Sequence, residues 1–514
     1  MMRITAGAIN GFTLAIAIMA PAASAPQPVD TGAAQAATAA AIARVQRLDS
    51  QLHSIIALDP TAVAQARRVD ASGQRGPLAG QPVLLKDNIE AAGPLPTTAG
   101  SLALANNVTN RDAPLVARLR ASGAVILGKT NLSEWANIRS THSISGWSAV
   151  GGQTHNPYAL DRDTCGSSSG SAAAVAAGFV RFAIGTETDG SITCPASING
   201  IVGLKPTVGL VSRTHIIPIS HSQDTAGPMT ASVRDAAELL TAIAGRDPAD
   251  PATRDADRHK VDYAASLDAG SLRGKRLGVL RFASSPTLDP AFNTALAVLR
   301  SKGAILVDIE AFDQKGLGEN ENVVLQTELK ADMATCLRSS PAPIAVRTLA
   351  DLIAFDKAHE RQEMGLFGQE YFEQAQKTKG LSGPAYRKAR AASFGAAGPN
   401  GIDRLLRQYR VVALVGPTAG PAWHIDAVNR DLYTEGGAGN LAAIAGYPHL
   451  TVPMALIKGL PVGLSFMGPK WSEARLLSLG YAFEQARGPF PTPRFYRSIE
   501  TDDSQVAPLM QPQR

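Results

Sequence analysis

From residue 81 to 485 the chain alternates short apolar runs, each bounded by Gly, Pro or polar turn residues, with segments whose apolar positions recur at helical spacing. That alternation constrains the fold more than any other feature, because it predicts a layered α/β protein. Residues 81–88 are expected to form a buried strand that ends in the polar turn Lys86-Asp87-Asn88. Pro114 opens a helix through Arg120, Gly123 caps it, and 125–127 is a strand. A loop rich in Ser, Gly and Asn spans 137–168, followed by a helix over 171–177 and a strand over 179–184. A second series has helices at 232–244 and 290–301 and strands at 276–281 and 304–308. Residues 315–395 are more charged and helical. Strands at 411–415, 450–453 and 462–466 and a helix at 472–485 follow. Upstream, apolar positions from Ile42 to Ile56 predict one helix over 33–57, stopped by Asp59-Pro60.

Composition removes several function classes. Hydrophobic residues at 45% and charged residues at 18% supply a core and exclude a disordered chain. A net charge of +5 over 514 residues, with no basic block, gives nucleic-acid binding no support. Arg3, the apolar stretch Phe12 to Ala20 and the small residues Ala23-Ser24-Ala25 have the order of a signal peptide. Residues 1–25 are therefore expected to be removed, leaving a periplasmic or secreted protein with no membrane segment, taken to be a monomer. Three cysteines cannot build a disulfide framework. Metal-ligand spacing is absent, so neither a metal nor an organic cofactor is expected.

Two motifs are decoys. Gly123-Ala-Val-Ile-Leu-Gly128-Lys129-Thr130 fits the phosphate-loop pattern by letter, but its middle is a buried strand and a helix precedes it, the reverse of the required order. Gly166-Ser167-Ser168-Ser169-Gly170 fits the elbow of α/β-hydrolases, which would make Ser168 the nucleophile. No strand leads into it, and His424 and His449 stand in no recognisable triad setting. An esterase built on Ser168 is the rival enzyme reading.

Three segments carry chemistry together. Gly185-Thr-Glu-Thr-Asp-Gly-Ser191 follows a strand and sets a serine after a glycine, where backbone N–H groups can converge. Cys165-Gly-Ser-Ser-Ser-Gly-Ser171 precedes a helix, and Lys86 ends an apolar strand. In this order, and with Gly200-Ile-Val-Gly-Leu-Lys-Pro-Thr207 and Ser222-Gln-Asp-Thr-Ala-Gly-Pro228 behind them, they resemble the amidase signature family. The resemblance runs from about 35 to 490, is most specific over 81–230, and is weak over 310–400. Within the family, the segment 185–191 and Ser133-Glu-Trp-Ala-Asn137 are most similar to bacterial peptide amidases.

The resemblance implies one large domain from residue 26 onward, with a mixed central sheet and helices on both faces. It implies a catalytic core at 80–230 and a substrate-binding insert at 310–400. Ser191 would be the acyl-forming nucleophile, Ser167 a bridging serine on a cis peptide bond, and Lys86 the terminal base. Backbone amides of Thr188, Asp189, Gly190 and Ser191 would form the oxyanion hole, with Asp87, Ser168 and Asp224 in support. Cys165, Ser169 and Asp189 stand where Gly is usual in the family, and Thr193 where Arg is common. Cys165 and Cys194 are expected to be small core residues, with a bridge between them left open.

The chemistry is sound on physical grounds. A serine hydroxyl needs a base during attack. Keeping a lysine neutral at pH 7 costs about 4.6 kcal/mol against its reference pKa of about 10.4, and burial behind Val83-Leu84-Leu85 offsets much of that. The expected substrate is a peptide amide that loses ammonia, held in a funnel walled by 137–160 and part of 310–400. Other amides are the nearest alternative, and a non-catalytic amidotransferase-like subunit is the alternative of another class. His142, His155, His215 and His221 are candidate loop or substrate contacts.

Overall fold

The computed structural model describes residues 1, 32–433 and 436–511. The expected signal segment lies outside the described residues. Among the described residues thirteen strands are formed: β1 (Ile55–Leu58), β2 (Pro82–Lys86), β3 (Val125–Thr130), β4 (Trp147–Ser148), β5 (Gly152–Gln153), β6 (Phe182–Glu187), β7 (Val202–Lys205), β8 (Thr225–Thr230), β9 (Arg276–Leu280), β10 (Ile305–Ile309), β11 (Ala413–Pro417), β12 (His449–Ile457) and β13 (Leu460–Met467). Eleven of them make one sheet in the order β1-β3-β2-β6-β8-β7-β12-β13-β11-β9-β10, while β4 and β5 pair as a small hairpin.

The sheet is mixed. Strands β3, β2 and β6 run parallel to one another, as do β11, β9 and β10, and the pairs between these groups are antiparallel. Parallel sheets are covered on both faces, and β2 obeys this rule: all five of its residues are buried. Val83 and Leu85 enter the core cluster shared with helices Pro114–Ala121, Val233–Ile243, Asp289–Ser301 and Glu473–Arg487. Leu84 enters the opposite cluster, with helices Ala33–Leu48, Ala62–Ser72 and Ser169–Ala176. The period-2 alternation of a strand divides the two layers.

The expected layered α/β class is what forms, with local corrections. The helix from residue 33 stops at Leu48, because the Asp49 carboxylate accepts the N–H groups of Ser54 and Ile55 and turns the chain. Ile55–Leu58 is therefore a strand and not the end of that helix. The strand expected at 179–184 runs from Phe182 to Glu187, which carries Thr186 and Glu187 to its C-terminal end. The phosphate-loop match is consumed by β3, which continues through Gly128-Lys129-Thr130. Residues 317–397 fold into helices, chiefly Leu317–Ser339, Leu349–Ala358, Glu370–Gln376 and Pro384–Ala397. They bury Leu329, Met333, Leu352 and Phe372 against Ala99, Leu104, Trp135 and Ile217 of the core loops. No described helix is long and apolar enough to cross a membrane.

Candidate active site

Lys86 is the last residue of β2 and follows the alternation of its strand, sharing the face of Leu84 where helix Ser169–Ala176 packs. Its side chain is fully buried, and its ammonium donates to Ser167 Oγ at 2.7 Å, Thr186 Oγ1 at 2.9 Å and the Thr186 carbonyl at 3.2 Å. All three partners are neutral oxygens, and among the described residues Lys86 makes no ion pair. Burial pushes its pKa down from 10.5 to about 7, against the weaker pull of Glu187 and Asp224.

Ser167 is fully buried and follows the cis peptide bond Gly166–Ser167. Residue 166 must be glycine, since a Cβ there would lie 2.0 Å from Ser133 Oγ. The next residue, Ser168, ties this segment to the other serine: its N–H donates to the Ser191 carbonyl at 3.2 Å. The Ser168 hydroxyl is spent on the backbone of β6, donating to the Thr186 carbonyl at 3.1 Å and accepting the Thr186 N–H at 3.2 Å. Buried and doubly bonded there, it is placed as a strut.

Ser191 is 7% exposed and leads into helix Thr193–Ile198. The turn before it is folded by Glu187, whose Oε2 accepts the N–H groups of Ile192 (2.8 Å) and Thr193 (2.9 Å) and the Thr193 hydroxyl (3.2 Å). Gly190 has φ +76°, a left-handed conformation that suits glycine. Among the described residues, no protein acceptor receives the backbone N–H of Asp189, Gly190 or Ser191. Three adjacent free donors at one turn make an anion-binding concavity.

The supporting carboxylates separate. The Asp224 carboxylate accepts the Thr188 hydroxyl at 2.6 Å and the N–H groups of Ile219 (2.8 Å) and Ser220 (2.9 Å), so it braces the turn. Partial burial raises its pKa to about 6. Asp87 lies elsewhere: its hydrogen bonds go to Thr98 and to Lys129, the latter at 3.3 Å, and it makes none to Lys86 or the serines. Thr186, Glu187 and Asn88, which donates to Thr186 Oγ1 at 2.9 Å, were not legible as site residues. Extending the strand expected at 179–184 by three residues would have found the first two.

Cys165 is buried in a core cluster with Cys194 packed against it, as expected, and the bridge left open forms, with Cα atoms 6.0 Å apart. The bridge joins the residue before Gly166 to the helix after Ser191, so both serine segments are held by one covalent link. It faces a cleft of about 1050 Å³, partly open to solvent, whose wall includes Asp189, Gly190, Thr193, Thr418, Trp423 and Asn440. Its far wall comes from Thr418, Trp423 and Asn440, and no residue of 137–160 or 310–400, the walls expected for the funnel, lines it. The histidines are not beside the serines: His449 Nε2 meets Ser465 Oγ at 2.6 Å, His221 Nδ1 faces Asp332 at 2.9 Å, and exposed His424 faces Asp161 and Glu500. His155 Nδ1 meets the Leu160 carbonyl at 2.6 Å.

Known proteins are similar to this chain along nearly its whole length. The sequence pattern of the Amidase family matches residues 36–477. The structure is similar to that of the native peptide amidase from Stenotrophomonas maltophilia, with a TM-score of 0.85 and 52% identity, covering 90% of this chain and 95% of that one. A probable amidase of Arabidopsis thaliana is 40% identical over 86% of this chain and 84% of its own. A glutamyl-tRNA(Gln) amidotransferase subunit from Exiguobacterium sibiricum is 34% identical, over 88% of this chain and 93% of its own. The chain belongs to the amidase signature family and is a hydrolase of carbon–nitrogen amide bonds.

Proposed function

We propose that this enzyme releases ammonia from the C-terminal carboxamides of peptides through a Ser191–Ser167–Lys86 relay. One observation carries the reading: a fully buried lysine, without an ion-pair partner among the described residues, donates to Ser167 Oγ at 2.7 Å. With its pKa near 7, a large share of Lys86 is neutral at physiological pH and able to accept a proton. Neutral Lys86 takes the proton of Ser167 as Ser167 takes that of Ser191. Ser191 Oγ then bonds to the carboxamide carbon, and the N–H groups of Asp189, Gly190 and Ser191 receive the oxyanion. The carbon–nitrogen bond breaks as the relay returns the proton to nitrogen, leaving ammonia and an ester on Ser191. Water, deprotonated by the same relay, cleaves the ester and frees the carboxylic acid.

The peptide amidase from Stenotrophomonas maltophilia supports this substrate class over the transamidation of its other relatives. The disulfide fits an exported enzyme, since such bonds persist in oxidising compartments. Matched peptides ending in carboxamide or free acid test the reading. Ammonia should be released from the amide, with internal bonds untouched, and mass spectrometry of a phosphonate-treated sample should place the adduct on Ser191. Comparable cleavage of internal bonds, or an adduct on Ser168, would overturn it.

A further inference from the structure

The Asp189 side chain has no place in the chemistry above, which uses only its backbone. It is exposed on the cleft wall, and among the described residues no hydrogen bond or ion pair engages its carboxyl group. Close by, Glu321 is fixed by Gln223 Nε2 and Asn440 Nδ2, each at 2.8 Å. With both Glu321 oxygens occupied, the Asp189 carboxyl is the acceptor on this side of the cleft that no protein donor engages among the described residues.

We propose that Asp189 is a specificity-determining residue that accepts the N–H on the α-carbon of the residue bearing the carboxamide. The enzyme therefore selects α-amino-acyl amides over amides with no donor at that position. The argument rests on the peptide-amide reading and on connectivity. The same residue whose N–H faces the substrate carbonyl oxygen carries the free carboxyl. In an α-amino amide the α-nitrogen lies two bonds from the carbonyl carbon, on the side away from the leaving nitrogen. The leaving nitrogen must face Ser167 to receive its proton, so the α-N–H is the donor left for Asp189. A backbone-directed acceptor of this kind grips every peptide residue alike except proline, whose nitrogen lacks the hydrogen.

The test compares N-acetyl-phenylalaninamide with its N-methyl analogue, which keeps the shape but removes the donor, and with 3-phenylpropanamide. Wild type should favour the N–H compound over the N-methyl compound by about tenfold or more in kcat/KM. In Asp189→Ala that ratio should collapse to about one, whatever happens to the absolute rate. Asp189→Asn, which keeps the shape with a weaker acceptor, should give an intermediate ratio. A wild-type ratio near one, or a ratio unchanged in either variant, overturns the role of Asp189 while leaving the peptide-amide reading intact. Ammonia from 3-phenylpropanamide with none from the N-acetyl compound overturns the peptide-amide reading itself, and this inference with it.

Discussion

The neighbouring parallel strands β2 and β3 each end near a fully buried lysine, and the two lysines live in opposite chemistries. In the register of the pair, Lys129 lies opposite Leu85 and Lys86 opposite Thr130, so the two amines leave the sheet on different faces. Lys129 meets a carboxylate, Asp87, at 3.3 Å, together with the Ile89 carbonyl at 2.6 Å and Thr97 Oγ1 at 2.8 Å. Among the described residues Lys86 meets two hydroxyls and a carbonyl. Burial lowers the pKa of both, but at Lys129 the charge of Asp87 opposes it at contact. One residue of register thus separates an ion pair that holds the fold from an amine that can give up its proton.

The widest test of that contrast substitutes each lysine by an isosteric apolar residue. Lys86→Met should lower kcat/KM for ammonia release by roughly 10³-fold or more, since the base is gone. Its thermal stability at pH 7 should equal or exceed that of wild type, because no buried amine remains to be desolvated. Lys129→Met should do the reverse to the fold, costing about 3–5 kcal/mol in denaturant unfolding by leaving the Asp87 carboxylate buried without a counter-charge. Equal destabilisation by both would erase the distinction. Adding Asp87→Leu to Lys129→Met should recover most of the loss, since the orphaned charge is then removed as well.

A smaller effect sharpens the same point. In the proposed relay the working form of Lys86 is the neutral one, so kcat/KM should rise about tenfold per pH unit up to its pKa of about 7 and level off above. Its folded pKa lies below the unfolded value of 10.5, so between about 7 and 10.5 the unfolded chain holds a proton that the native state has lost. Stability should therefore gain a contribution with rising pH across that window, and Lys86→Met should abolish it. A rate that falls as pH rises through 7 would mean that the charged lysine is the working species. Least costly is Ser168→Ala, which gives up two bonds to Thr186. It should lose about 1–3 kcal/mol of stability and retain most activity, whereas Ser191→Ala should retain almost none.

Much of this was legible from the residues themselves. An apolar run ending in lysine told that Lys86 would be buried, and Ser and Gly clusters told where the backbone would turn sharply. Strands β7 and β8 were not legible, because Gly203, Gly227 and Pro228 break the β-branched pattern that marks a strand, and only their place in the middle of the sheet stabilises them. The anchoring by Glu187 was hidden for a different reason. Its partners, Ile192 and Thr193, contribute mainly backbone N–H groups, which no side-chain pattern reveals. The far wall of the cleft comes from 418–440, more than 200 residues after Ser191, a closure that only the sheet order β12-β13-β11 brings about.

The bridge between Cys165 and Cys194 also bears on how the protein ages. Disulfides are shuffled from within when a third thiol loses its proton and attacks one of the sulfurs. The only other cysteine, Cys336, sits on the helix Leu317–Ser339, and burial pushes its thiol up to about 12. At neutral pH almost none of it is thiolate. Once folded and oxidised, the chain carries no internal reagent able to scramble the link that holds its two serines together.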